Sequence, residues 1–182
     1  MKSSDEVGVT PDPVSASTAL VQRAPDAPNA WDDLILQQLW LATQRREWRS
    51  LALVAASKSV DTLWIAELLA KLAWWYRGQP SCVFDLRDLS LRLVEYHQNE
   101  VTAQVGSGNC VIVALRSIFE NPTAVPIAKA ADAVVLCVSL GKTDFKAAEK
   151  TIAELGRDRV IGSIVVRKPS KKRPGNGKNE PR

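Results

Sequence analysis

Few residues in this 182-residue chain could do chemistry, and they are scattered. There is one histidine, His97, and there are three cysteines, Cys82, Cys110 and Cys137. Each cysteine sits in or beside an apolar run, and their spacing fits neither a disulfide framework nor a zinc site. Reduced, buried core thiols are expected. His97 has no cluster of Cys or carboxylate ligands with it, and a metal site needs several, so a surface or packing role is expected and no metal site is assigned. No Ser-His-Asp or Cys-His arrangement suggests a nucleophile. Aromatic and basic groups are the other resource. All six tryptophans lie between Trp31 and Trp75. Such density could stack bases or sugars, but Trp more commonly serves to bury apolar area. Trp74, Trp75 and Tyr76 point around a helix, so at least one ring is expected to meet a partner. Lys171, Lys172 and Arg173 centre a basic tail able to bind polyanions or an anionic leaflet.

The elements that must position these groups are legible from the apolar pattern. Cys110 to Leu115 and Ala133 to Val138 are short, continuous apolar runs rich in Val and Ile. They read as buried parallel strands joined by a crossover over Arg116 to Asp132, where Pro122 and Pro126 interrupt. Upstream, Trp31 to Trp48 is helical in pattern, capped by Asn29 or Asp32, with Leu34, Ile35, Leu39, Trp40 and Thr43 recurring at helical spacing. Arg45, Arg46 and Arg49 close it. A strand over Leu51 to Ala56, a polar loop over Ser57 to Asp61 and an apolar helix over Thr62 to Tyr76 follow, the last stopped by Gly78 and Pro80. Cys82 to Phe84 is a strand ending on Asp85. Residues 86–108 are ambiguous between helix and strand and lean to helix. Gly141 to Asp144 is a turn with a cap, Phe145 to Leu155 a helix and Val160 to Val166 the last strand. Strands alternating with helices and few hairpin signals predict an α/β fold, three-layer α/β/α with a mostly parallel sheet.

Charge divides the chain differently. Residues 31–166 carry 15 basic and 15 acidic side chains, whereas residues 167–182 carry seven basic ones against Glu180. The basic character therefore belongs to the tail. Residues 1–29 form a disordered leader by composition, 30–168 the domain and 169–182 a disordered basic tail. No signal peptide and no spanning helix are read, and the expected reduced thiols favour the cytoplasm.

The run Ala131-Asp132-Ala133-Val134-Val135-Leu136-Cys137-Val138, the turn Gly141-Lys142-Thr143 and the strand Gly162-Ser163-Ile164-Val165-Val166 stand in an order that resembles the P-loop ATPase superfamily of the ParA/MinD type. Within it the chain is most similar to the cytoplasmic tyrosine kinases of capsule and exopolysaccharide assembly. The likeness covers roughly residues 31–168. It implies a P-loop NTPase-like fold with ATP and Mg²⁺ as the ancestral ligands.

The functional positions that the resemblance implies are largely lost. The phosphate loop would be Ala55 to Thr62, which has no glycine to let backbone N–H groups approach phosphate. Lys58, Ser59, Thr62 and Asp85 are the residues that nucleotide would use if it bound. Asp61 would add negative charge beside it. Ala114 stands where a strand-end Asp is expected, followed by Leu115-Arg116-Ser117 in place of Thr-Pro-Pro. Arg167 replaces the Asn that would read adenine, and the tail has no tyrosine cluster. The resemblance therefore implies a pseudo-ATPase or pseudokinase, with no catalytic residue and no cofactor. It would be a regulatory or scaffold protein acting with a catalytic homologue or a membrane polysaccharide co-polymerase, as a homo- or heterodimer. One alternative is a nucleic-acid- or membrane-associated accessory of the ParA/MinD kind, peripheral at the inner membrane through its tail. Another is an active ATPase or protein tyrosine kinase with a non-standard phosphate loop.

Overall fold

The structure, a computed structural model, describes residues 20–21, 34–141 and 143–166. Five apolar runs become parallel strands: β2 (Ser50–Ala55), β3 (Ser81–Asp85), β4 (Cys110–Leu115), β5 (Ala133–Ser139) and β6 (Val160–Val166). A two-residue strand, β1 (Leu20–Val21), pairs antiparallel with β3 at one edge. It falls inside the leader expected to be disordered; the rest of residues 1–29 lies outside the described residues, as does the tail 169–182. The spatial order is β1-β3-β4-β2-β5-β6. Strands β2 and β4 are buried at every position, as expected of a parallel sheet covered on both faces.

Connection direction decides which face each helix covers, because parallel crossovers are right-handed. The chain moves one way from β2 to β3, through α2 (Thr62–Arg77), and the other way through α3 (Val94–Gly106), α4 (Ala124–Ala130) and α5 (Phe145–Leu155). Accordingly α2 packs on one face with α1 (Leu34–Thr43), where Trp40, Ile65, Leu69 and Ala73 meet Leu51, Leu53, Ile112 and Val135. On the other face Val101, Ile127 and Leu155 meet Ala52, Val54, Val113 and Val134. Successive strand residues alternate between the two clusters, so each strand feeds both cores. The result is a three-layer α/β/α domain.

Local signals explain the element ends. Asp61 caps α2 by accepting from Leu63 N–H at 3.2 Å, and Gly78 ends it at φ +63°, its N–H donating to Trp74 O. Asp144 caps α5 in the same way, through Lys146 N–H. Pro126 does not break α4; it occupies the first turn, where an N–H needs no helical partner. The ambiguous stretch is helical, a 3₁₀ turn over Leu91–Leu93 leading into α3. Helix α1 ends earlier than its apolar spacing suggests. Trp48 folds back and donates its indole N–H to Thr43 O at 2.9 Å, while Thr43 Oγ1 donates to Trp40 O, so side chains satisfy the last carbonyls and the helix stops. Leu34 and Ile35, which recur at helical spacing with Trp40, are 68% and 72% exposed.

A clasp at the amino edge sets β5 beside β2. Asp132 Oδ2 accepts from Arg49 N–H at 2.9 Å and Ser50 N–H at 2.8 Å, and Asp132 N–H donates to Ser50 Oγ. Burial pushes the Asp132 carboxyl up, but these backbone donors and the Ser50 hydroxyl outweigh it and hold the group below its ordinary range.

Candidate functional site at the carboxyl ends of the strands

In an open α/β sheet the crevice lies outside the carboxyl ends of the strands, where neighbouring connections leave to opposite faces. Here that point is the end of β2, whose helix covers one face, beside β4 and β5, whose helices cover the other. The loop that follows β2, residues 56–61, occupies it. Ala56 N–H still donates to Cys137 O of β5, and Val60 N–H closes a turn on Ser57 O. A phosphate nest needs successive N–H groups turned inward by residues of alternating handedness. Among the described residues no non-glycine has positive φ, and the glycines that do are Gly78, Gly108, Gly141 and Gly156, none of them in this loop.

From this loop an ion-paired chain runs to the end of β3. Arg87 forks onto Asp85, Nε to Oδ1 at 2.7 Å and Nη2 to Oδ2 at 2.8 Å, and its Nη1 reaches Asp61 Oδ1 at 3.0 Å. Hydrogen bonding by Arg87 holds the Asp85 carboxyl below its usual range, against the upward push of burial. Both oxygens of Asp85 are thus committed to a guanidinium. The loop that carries Arg87 is pinned in turn, because Asn121 Nδ2 donates to Arg87 O and Leu89 O, and Thr123 Oγ1 donates to Leu89 O. Arg116, just past β4, pairs with Asp88 at 2.9 Å.

The residues that nucleotide would use are not brought together as a cradle. Lys58 is exposed on the turn. Ser59 Oγ is 3.0 Å from Ser57 Oγ, which is also 3.2 Å from Thr143 Oγ1. Thr143 accepts from Ser139 N–H, tying this hydroxyl cluster to the end of β5. Thr62 is buried, and its hydroxyl donates to Leu115 O at 3.0 Å. Position 114 is not at the crevice: β4 runs on to Leu115, and Ala114 is fully buried in the core under α2. Arg116 and Ser117 follow the strand end. Arg167 lies outside the described residues.

The remaining candidates separate as well. His97 is a packing residue, 3% exposed, with Nδ1 at 3.1 Å from Glu100 Oε2 and its ring edge-on to Tyr96. No group of three or more His, Cys, Asp or Glu among the described residues could hold a metal ion. All three cysteines are free and buried, which raises their thiols, Cys110 to about 11 and Cys137 to about 12. Trp74 and Trp75 are half-buried, and Tyr76 stacks on Trp40 at 5.5 Å. Trp64, not singled out by the sequence, is the most exposed of the described tryptophans, at 57%. It lines an apolar groove of about 590 Å³ between α1, α2 and β6, with Ile35, Leu39, Ile164 and Val165. Its place three residues after the cap and outside the Ala66-Leu69-Ala73 stripe was a usable signal. Lys171, Lys172 and Arg173 lie outside the described residues. Among the described residues no helix is long and apolar enough to cross a membrane. No protein-family model matches the chain, and no curated protein matches it.

Proposed function

We propose that this protein is a non-catalytic relative of the P-loop ATPases, a pseudo-ATPase that works as a regulatory or scaffold protein through its surfaces. One observation carries the reading: Arg87 bridges Asp61 and Asp85, the positions at which the resemblance would put a triphosphate and its metal. The amino end of α2 is served by its own carboxylate, and the strand-end acid is neutralised by the chain's own guanidinium. Phosphoryl transfer depends on positioning and on fixed positive charge, and a glycine-free loop that carries an acid, with its one cation Lys58 exposed on the turn, offers little of either. The groove around Trp64 supports the other half of the reading, since an apolar patch of this kind marks a contact surface. The partner we propose is a catalytic homologue or the cytoplasmic end of a polysaccharide-assembly membrane protein, as the resemblance suggests.

Calorimetry of the full chain with ATP, with and without Mg²⁺, tests the first half, and no heat of binding is expected. ATP hydrolysis that requires Mg²⁺ and stops in Lys58→Ala would overturn it. For the second half, Trp64→Glu is expected to abolish co-purification with the partner while leaving the thermal midpoint unchanged; retained co-purification would remove the groove from the interface.

A further inference from the structure

The amino edge of the sheet, opposite the crevice, collects six arginines from distant parts of the sequence. Arg45, Arg46 and Arg49 come from the loop between α1 and β2, Arg77 from the last turn of α2, and Arg157 and Arg159 from the turn between α5 and β6. Arg46 Nη1 donates to Asp158 O at 3.3 Å, which joins the two loops. Among the described residues none of these six is in an ion pair, whereas Arg87 and Arg116 at the carboxyl edge both are. Arg77 is committed to structure: it donates to Trp48 O and Gln44 Oε1, and its guanidinium lies 4.3 Å from the Trp48 ring centre. It forms the wall of a cavity of about 540 Å³ into which Arg46 and Arg49 also face. A second cavity, of about 380 Å³, lies between Arg45 and Arg157. The loop over residues 44–49 is the ridge between them. Glu47, Asp132 and Asp158 are the acids at this edge, and Asp132 already accepts two backbone N–H groups.

We propose that this arginine-lined edge binds the phosphate backbone of a nucleic acid. The guanidinium is weakly hydrated and forks onto phosphate oxygens, and here several make no ion pair, Arg46 feeling Asp132 only at longer range, along two hollows flanking one loop, a track longer than one phosphate. The sequence beyond Val166 adds seven basic residues against one acid to the same polyelectrolyte attraction. A lipid surface is the weaker fit, because it needs apolar side chains beside the cations. Most of the exposed ones, such as Trp64, Leu140, Phe145 and Val165, stand at the ends of strands or the starts of helices at the opposite edge. The arginines also follow the carboxyl ends of α1, α2 and α5, where cations offset the helix dipole. That role alone predicts no ligand.

The test is fluorescence anisotropy of a labelled random-sequence DNA duplex with the full chain between about 50 and 200 mM salt. Wild type is expected to bind, and the triple variant Arg45→Gln, Arg46→Gln, Arg49→Gln to bind about tenfold or more weakly, its salt slope lower by about two to three. A charge-matched control, Lys71→Gln, Arg92→Gln, Lys146→Gln, changes exposed residues elsewhere and is expected to bind nearly as wild type. A chain ending at residue 168 is expected to lose affinity but keep its dependence on the three arginines. Absence of binding at the lowest salt overturns the proposal, leaving the arginines to the helix dipoles. Equal loss in the control reduces it to net charge, and loss confined to the truncated chain assigns binding to the tail. Retention on phosphatidylserine vesicles without DNA binding makes the ligand a membrane. Circular dichroism melts confirm that each variant compared is folded.

Discussion

The Arg87 guanidinium lies 3.0 Å from the Asp61 carboxylate and so ties the loop after β3 to the cap of α2. Asp61 has two jobs, since the same Oδ1 accepts from Leu63 N–H. Asp61→Ala is expected to cost about 1 kcal/mol in urea unfolding, most of it from the lost cap. Asp61→Asn keeps a capping oxygen and is expected to cost less. The cost of Asp61→Asn measures the partly exposed ion pair, worth under about 1 kcal/mol, and the difference between the two variants measures the cap.

Acid should expose the two clamped carboxylates. Asp85 and Asp132 are both held below their ordinary range in the folded chain. A depressed folded value gives stability that is fully present above the unfolded carboxylate value of about 3.9 and is lost as pH falls through the folded one. Arg87→Gln and Asp132→Asn are each expected to shrink the part of the loss that falls below about pH 4. A pH series of chemical unfolding curves reads this, and unchanged acid slopes in both variants would contradict it.

Restoring the acid that the resemblance expects should damage the fold and not revive it. Ala114 is fully buried among apolar neighbours beneath α2. Ala114→Asp places a carboxyl there with no partner, and a loss of about 3 kcal/mol or more is expected from unfolding curves, with no gain of ATP hydrolysis.

The thiols give a test of core closure. Cys110 and Cys137 are almost fully buried, and burial raises both thiols well above the usual value. Neither is expected to react with a chromogenic disulfide reagent in the native state at neutral pH, and all three cysteines should react in guanidinium. Fast native reaction of Cys137 would show that the β5 layer is open.

Gly78 tests the end of α2. Its φ is +63°, and a Cβ there would meet nothing within 4 Å. Gly78→Ala should therefore cost about 1 kcal/mol from backbone strain alone, without a packing term.

Local physics made much of the domain readable along the chain. The apolar runs of β4, β5 and β6, the caps Asp61 and Asp144 and the stop at Gly78 each depend on neighbours a few residues away, and each stands where its pattern put it. Where a distant side chain decided the outcome, the pattern misled. Trp48 returned to cap α1 early, and Leu34 and Ile35 were left outside although they share helical spacing with Trp40. At the candidate site the glycine-free loop and the acid at position 61 were legible in the sequence. The site's positive content, Arg87 held between Asp61 and Asp85, required the β2 and β3 loops to be neighbours.

What the sequence by itself determined is the α/β class, the burial of the three cysteines and the absence of a glycine-built phosphate loop, because periodicity, apolar runs and backbone permissiveness are local properties. What only the tertiary structure decided is which charges meet. The domain counts as neutral along the chain, with 15 basic and 15 acidic residues over 31–166. Folding pairs Arg87 and Arg116 with acids at one edge of the sheet and gathers arginines from three separate segments, without such partners, at the other. Coulomb energy depends on distance in space, and parallel strands joined by helices send successive turns to opposite edges, so sequence neighbours part and distant residues become one surface.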